Sequence, residues 1–218
     1  MNQQSKVDAM GRAEPGALPT EGLPDAAASR TATLQPHPVD LSEMVEKFAL
    51  QQLAWTYCHA IDRGDLRLLR SLYHDDAIDD HGPMFRGSPD EYVAWLPGML
   101  ANWESTSHVI SNMLFLVEGH QAEGELAVLA YHRTPGPDLR EVIARGRYLD
   151  RYEKRDGIWR FYRRSLVLDS MEERIAPAGC SPSLDEGIET GRADAGDACF
   201  TRLAMFARQR GLPDEYRR

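Results

Sequence analysis

From Asp40 onward, apolar side chains return at close to helical spacing. Leu41, Met44, Val45 and Phe48, then Leu50, Leu53, Tyr57 and Ile61, draw a stripe along a first helix. Asp40 suits its N-cap, with Glu43 three residues on as a capping box requires. Gly64 supplies a stop and Asp65 a new cap. A second helix carries Leu66, Leu69, Leu72 and Tyr73. The polar run HDDAIDDHG (74–82) then reads as a solvated loop between elements. Ser88-Pro89-Asp90-Glu91 opens a third helix, with a capping serine, proline at the first helical position and Glu91 to close the box. That helix holds Tyr92, Val93, Leu96 and Leu100, and Pro97 is expected to kink it.

The period then changes. Residues 106–118, 122–134, 140–155 and 158–169 hold Val, Ile, Leu, Phe and Tyr in partial alternation and read as four long strands. Gly119-His120, Pro135-Gly136-Pro137-Asp138 and Asp156-Gly157 break them, the last being a strong hairpin signal. Short connections between strands imply antiparallel neighbours. Three helices followed by a curled antiparallel meander give an α+β layer fold with the helices covering one sheet face and a pocket between. Residues 1–39 lack any period and are rich in Ala, Gly, Pro, Ser and Thr, so they read as a flexible arm able to pack on a neighbouring subunit. The folded domain spans 40–170. Residues 171–218 form an extension with a short helix near 198–210, suited to a lid or a subunit contact.

Composition narrows the function classes. No run of about 18 apolar residues exists to span a membrane, and the N-terminal 30 residues lack the apolar stretch of a secretory signal. Thirty-four Asp and Glu against 25 Lys and Arg give a formal charge of −9, which disfavours nucleic acid and anionic lipid as partners. Cys58, Cys180 and Cys199 are too few and scattered for a disulfide framework or a thiolate zinc site, and a cytoplasmic setting is the default expectation. A small molecule is the expected ligand. No glycine-rich phosphate loop or nucleotide fingerprint is present. The run His74, Asp75, Asp76, Asp79, Asp80 and His81 has metal-ligating residue types but matches no metal motif in its spacing. Cys58 and His59 are adjacent on a helix and so do not face each other as a nucleophile and base would.

Three segments carry a family resemblance: AWTYCHAIDRGDLRLLRSLYHDDA (54–77), STSHVISNMLF (105–115) and YEKRDGIWRFYRRS (152–165). Residues 41–170 resemble the SnoaL-like branch of the NTF2-like superfamily. Within it they are most similar to the cofactor-independent lyases of lindane dehydrochlorinase, bile acid 7α-dehydratase and scytalone dehydratase type. The resemblance implies a cone-shaped α+β barrel whose interior is the active site, no cofactor and no metal, and a homo-oligomer, with a trimer favoured. It also implies an Asp62–His108 dyad with His108 as general base, Arg164 as a pocket arginine, and Tyr57 in the place of a tyrosine found in the bile acid branch. The arm and the long tail lie outside it.

The residues themselves leave alternatives beside each role. Asp62 ends a helix, where the dipole disfavours a negative charge by about 0.3–1 kcal/mol, so it wants a partner; it also fits a plain Asp62-Arg63-Gly64-Asp65 turn. His108 alternates with Ile110, Asn112, Leu114 and Leu116, which suits a core histidine as well as a base. Asn112 would then point inward, either to a ligand or to a hydrogen bond within the sheet. Arg163 and Arg164 point to opposite faces, and the sequence alone does not choose the inward one. Tyr57 sits on the apolar stripe as a core residue or as a general acid. Trp55, two residues earlier, is a candidate substrate contact. The expected reaction is elimination from a hydrophobic, oxygenated aromatic or polycyclic molecule, either dehydration or retro-aldol loss of formaldehyde. An isomerase or cyclase, an epoxide hydrolase, and a non-catalytic binding or oligomerisation module are the alternatives on the same fold.

Overall fold

The computed structural model describes residues 32–136, 139–175 and 188–213. Most of the expected N-terminal arm, the Pro137-Asp138 break, Cys180 and parts of the C-terminal extension lie outside the described residues. Helix α1 (Leu41–Asp62) is followed by α2 (Leu66–Ser71), strands β1 (Tyr73–Asp80) and β2 (Arg86–Gly87), and helix α3 (Pro89–Leu100). Strands β3 (Ser105–Glu118), β4 (Gln121–Arg133), β5 (Arg140–Arg155) and β6 (Ile158–Ile175) come next, then α4 (Ala198–Arg202) and α5 (Ala204–Arg210). The C-terminal helix expected near 198–210 is thus two short ones, parted at Leu203. No described helix is long and apolar enough to cross a membrane.

Local chemistry fixes the boundaries. The Asp40 carboxylate accepts from the Glu43 N–H, but Glu43 turns to His37 and Lys47 instead of closing the box. Ser88 and Glu91 do close theirs. Gly64 ends α1 with φ +60°, and a Cβ there would collide with the Ala193 carbonyl oxygen of the C-terminal segment. Asp156 and Gly157 both have positive φ, as a two-residue hairpin between β5 and β6 demands.

The sheet order is β2-β1-β6-β5-β4-β3. The four long strands form the antiparallel meander read from the sequence. Two expectations change. The sheet does not close into a barrel, and it is mixed, because β1 runs parallel to β6. The supposed loop 74–82 supplies most of β1, whose His74 and Asp79 are buried. Its polarity hid the strand: the side chains that face inward are paired with each other and with neighbouring backbone.

Helix α1 carries two apolar faces rather than one stripe. The step from Phe48 to Leu50 shifts the helical phase, so that Leu41, Met44, Val45 and Phe48 lie about 180° from Leu50, Leu53, Tyr57 and Ile61. The second set is buried and the first is exposed. The core fills the space between the second set, Tyr92 and Leu96 of α3, and the sheet residues Phe115, Leu126, Tyr148, Tyr152, Trp159 and Phe161.

Candidate active site

The last residue of α1 and the early part of β3 are stitched together by one carboxylate. Asp62 Oδ1 lies 2.7 Å from His108 Nδ1 and accepts the Thr106 hydroxyl at 3.0 Å; Oδ2 accepts the His108 backbone N–H at 2.8 Å. The two side chains are only 11% and 8% exposed. Burial alone would push the Asp62 carboxyl up, but the His108 hydrogen bond and charge outweigh it and hold Asp62 below the usual carboxylate range. With Nδ1 committed to the carboxylate, Nε2 is the nitrogen left to exchange a proton. The helix-end position of Asp62 is thus compensated by three donors, all from β3.

Beside the dyad stands a second imidazole that the sequence reading did not single out. His132 of β4 packs edge-on against His108, with ring centroids 5.4 Å apart, and Trp103 also packs against it, tilted, at 4.8 Å. Burial, then the charge of His108, pulls the His132 pKa down to about 4, so it is neutral near pH 7. Its sequence signal was the inward alternation of β4, Leu126, Val128, Ala130 and His132, which ends on a polar residue in register with Thr106.

Tyr57 and Arg164 form a separate, fully buried group. The Arg164 guanidinium carbon sits 4.0 Å from the centroids of Tyr57 and Tyr148 and 4.2 Å from that of Phe161. Asp150 binds it through Nε at 2.8 Å and Nη2 at 2.7 Å, and takes the Tyr152 hydroxyl at 2.7 Å. Burial opposes the charge on Arg164, and Asp150 more than restores it. Nη1 is buried without a partner. The Tyr57 hydroxyl shares a 2.8 Å hydrogen bond with that of Tyr92, and burial raises its pKa well above the ordinary tyrosine value. Arg164 is therefore the inward arginine and Arg163 the exposed one. A bulge at Tyr162, where β6 slips against Arg151 and Tyr152, lets both Phe161 and Arg164 face the core.

Asn112 and Trp55 do not join these groups. A bulge between Ile110 and Met113 inserts one extra residue against β4. It inverts the alternation, so Met113 and Phe115 pack inward, while Asn112 and Leu114 are exposed. Asn112 thus leaves the face of His108. Trp55 falls on the exposed face of α1 with Phe48, 43% accessible. Among the described residues, no three His, Cys, Asp or Glu side chains gather as a metal site.

The family model for the SnoaL-like domain matches residues 43–165. Among solved structures, a candidate scytalone dehydratase of Novosphingobium aromaticivorans DSM 12444 aligns with a TM-score of 0.56 and 28% identity over 64% of this chain and 97% of its own. A hexachlorocyclohexane dehydrochlorinase of Novosphingobium barchaimii LL02 aligns with a TM-score of 0.58 and 19% identity over 66% and 100%. A second dehydrochlorinase of that name, type 2, reaches a TM-score of 0.60 at 20% identity over 69% and 100%. These two share the fold. No curated protein matches the chain. The matched span takes in more than half the chain and contains Asp62, His108, His132, Asp150 and Arg164; the chain belongs to the SnoaL-like domain family, on the NTF2-like fold.

Proposed function

We propose that the protein is a cofactor-independent lyase in which His108 is the general base and Asp62 its orienting carboxylate. The observation that carries this reading is the 2.7 Å Asp62–His108 contact, with the carboxylate tied down by two further donors. A base held in a fixed tautomer, with one ring nitrogen left to take a proton, is what proton abstraction from carbon or a hydroxyl needs. His132, neutral beside it, keeps a second charge away from the imidazolium that forms. In this reading Tyr57 and the free Nη1 of Arg164 stabilise charge developing on a substrate oxygen. The substrate is a hydrophobic, oxygenated aromatic or polycyclic molecule. The reaction is loss of water, or of formaldehyde from a hydroxymethyl group. A structural relative at 28% identity is a candidate dehydratase, which favours elimination.

The test is mass detection of water or formaldehyde loss across hydroxylated aromatics. His108→Ala is expected to lower turnover at least about 100-fold with folding intact, and Asp62→Asn to lower kcat more than it raises KM. Full turnover by His108→Ala ends the proposal.

A further inference from the structure

The turn that carries Asp62 is held from two sides. On one side are the three β3 donors to its carboxylate. On the other is the C-terminal segment, which lies beyond the matched family span. Asp62 is the last residue of α1. Behind it the chain closes as a Schellman turn: the Gly64 N–H donates to Ile61 O at 3.1 Å and the Asp65 N–H to Ala60 O at 2.8 Å. The carbonyls of Asp62, Arg63 and Gly64 are left without a backbone partner. Two guanidinium groups take all three. Arg63 Nη1 donates to Asp62 O at 3.1 Å, and Arg210 donates through Nη1 to Arg63 O at 2.8 Å and through Nη2 to Gly64 O at 3.1 Å.

Both guanidinium groups are in turn fixed by the C-terminal segment. Arg63 Nε lies 3.6 Å from Asp197 Oδ1, and Asp197 is buried. The Asp197 carboxylate also accepts the Arg192 N–H at 2.8 Å and the Cys199 N–H at 2.9 Å, which ties it to its own segment. The Arg210 guanidinium carbon lies 4.4 Å from the ring centroid of Phe200, a residue only 1% exposed. Beside Arg210, Gln209 O accepts from Arg67 of α2. Gly64 lets the segment approach at close range: a Cβ there would stand 2.4 Å from Ala193 O. A helix end left to itself frays. The last turn of α1 is instead clamped, and the two cations offset the negative end of the helix dipole, where Asp62 carries its own charge.

We propose that Arg210 is a positioning residue for the Asp62–His108 pair. By holding the carbonyls of Arg63 and Gly64 it keeps the end of α1 wound, so that the Asp62 carboxylate meets His108 Nδ1 at hydrogen-bond distance. Arg210 acts through the turn and not on the substrate. A planar fork that spans two successive carbonyls is what arginine offers and lysine does not. The role deepens the lyase reading above. It rests on that reading for its effect on turnover, but not for its effect on the imidazole.

Two measurements on the full chain decide this. The first follows the His108 Nδ1–H proton by NMR of ¹⁵N-labelled protein, assigned by its loss in His108→Gln. Asp62 is held below the usual carboxylate range, so near pH 7 it accepts and the proton sits on Nδ1. In Arg210→Gln the resonance is expected to move upfield and broaden as the bond lengthens. Arg210→Lys keeps the charge and loses the fork, and is expected to fall between that variant and wild type. Loss of stability alone leaves the folded-state resonance where it is. An unmoved resonance in Arg210→Gln therefore overturns the proposal, whether or not turnover is ever found. Should Arg210→Gln fail to fold, Arg210→Lys is read in its place with the same two outcomes. The second measurement uses the substrate identified by mass. Arg210→Gln is expected to lower kcat about 10- to 100-fold with KM within about twofold of wild type. Arg202→Gln, which removes a pair with Glu189 in the same segment, is expected to leave both constants unchanged. A raised KM at unchanged kcat in Arg210→Gln also overturns the proposal. A mass screen without turnover defeats the lyase reading and leaves the first measurement to decide the positioning.

Discussion

Asp62 does three things with two oxygens: it accepts the Thr106 hydroxyl, the His108 N–H and the His108 ring. Position and chemistry are therefore set by the same bonds. His132 shows the opposite case, a titratable group without an ion pair among the described residues and with a pKa near 4 set chiefly by burial. Its folded pKa lies below its unfolded value of 6.5, so the unfolded chain binds the extra proton first. Stability on this account is full above pH 6.5, falls as pH drops from about 6.5 to about 4, and is constant below. The difference of 2.5 units corresponds to about 3 kcal/mol. Asp62 acts in a lower window: its depressed pKa contributes stability above its ordinary value of 3.8 and loses it as pH falls below. Urea unfolding at pH 7.5 and pH 5 checks the first window; His132→Gln is expected to remove most of the loss between those two values.

At the scale of elements, the bulge in β3 decides what the strand shows to the core. Before it, Thr106 and His108 reach Asp62. After it, Met113 and Phe115 pack inward and Leu114 is left outside. Deleting Asn112 removes the extra residue and forces one half of the strand to flip. The expected result is loss of several kcal/mol by denaturant titration, because either Phe115 leaves the core or His108 leaves Asp62. Asn112→Ala, which keeps the bulge and alters only an exposed side chain, is expected to stay within about 0.5 kcal/mol of wild type. An unaffected deletion variant shows that the bulge is not what sets the register. The bulge at Tyr162 in β6 works the same way, and with it Phe161 and Arg164 share the core.

At the scale of the whole molecule, apolar surface stays uncovered among the described residues. Leu41, Met44, Val45, Phe48 and Trp55 line one face of α1, and Val109, Leu114, Leu149, Leu168 and Met171 stand exposed on the sheet. Surfaces of this kind mark association sites. We expect a homo-oligomer, a trimer in the first instance. Light scattering coupled to size-exclusion is expected to give about three times the 24.5 kDa chain mass, and Phe48→Glu combined with Leu168→Glu to lower it. A wild-type monomer refutes that expectation. The C-terminal segment, beyond the matched family span, docks on the turn that follows Asp62. Arg210 donates to the carbonyls of Arg63 and Gly64, and His59 of α1 lies between Phe200 and Phe206.

The sequence by itself determined the elements whose signals are local. Helix caps at Asp40, Asp65 and Ser88, the stop at Gly64 and the turn at Asp156-Gly157 follow from a few neighbouring residues, and each is where the chain predicts it. The alternation of four long strands was legible for the same reason, and so was the phase break in α1 for anyone tracking angle rather than spacing. The tertiary structure alone decided the rest. Which residues of β3 and β6 face inward depends on one-residue bulges, and these exist only relative to a partner strand. β1 is a strand because Asp79 finds Tyr73 and His81 and because β6 lies alongside it; the run of charges in isolation reads as loop. His132 enters the site through a sheet register that no spacing along the chain encodes, and Trp103 through its ring contact with His132. Periodicity is a property of a segment, whereas the pairing of a buried polar group is a property of two segments brought together, and only folding brings them there.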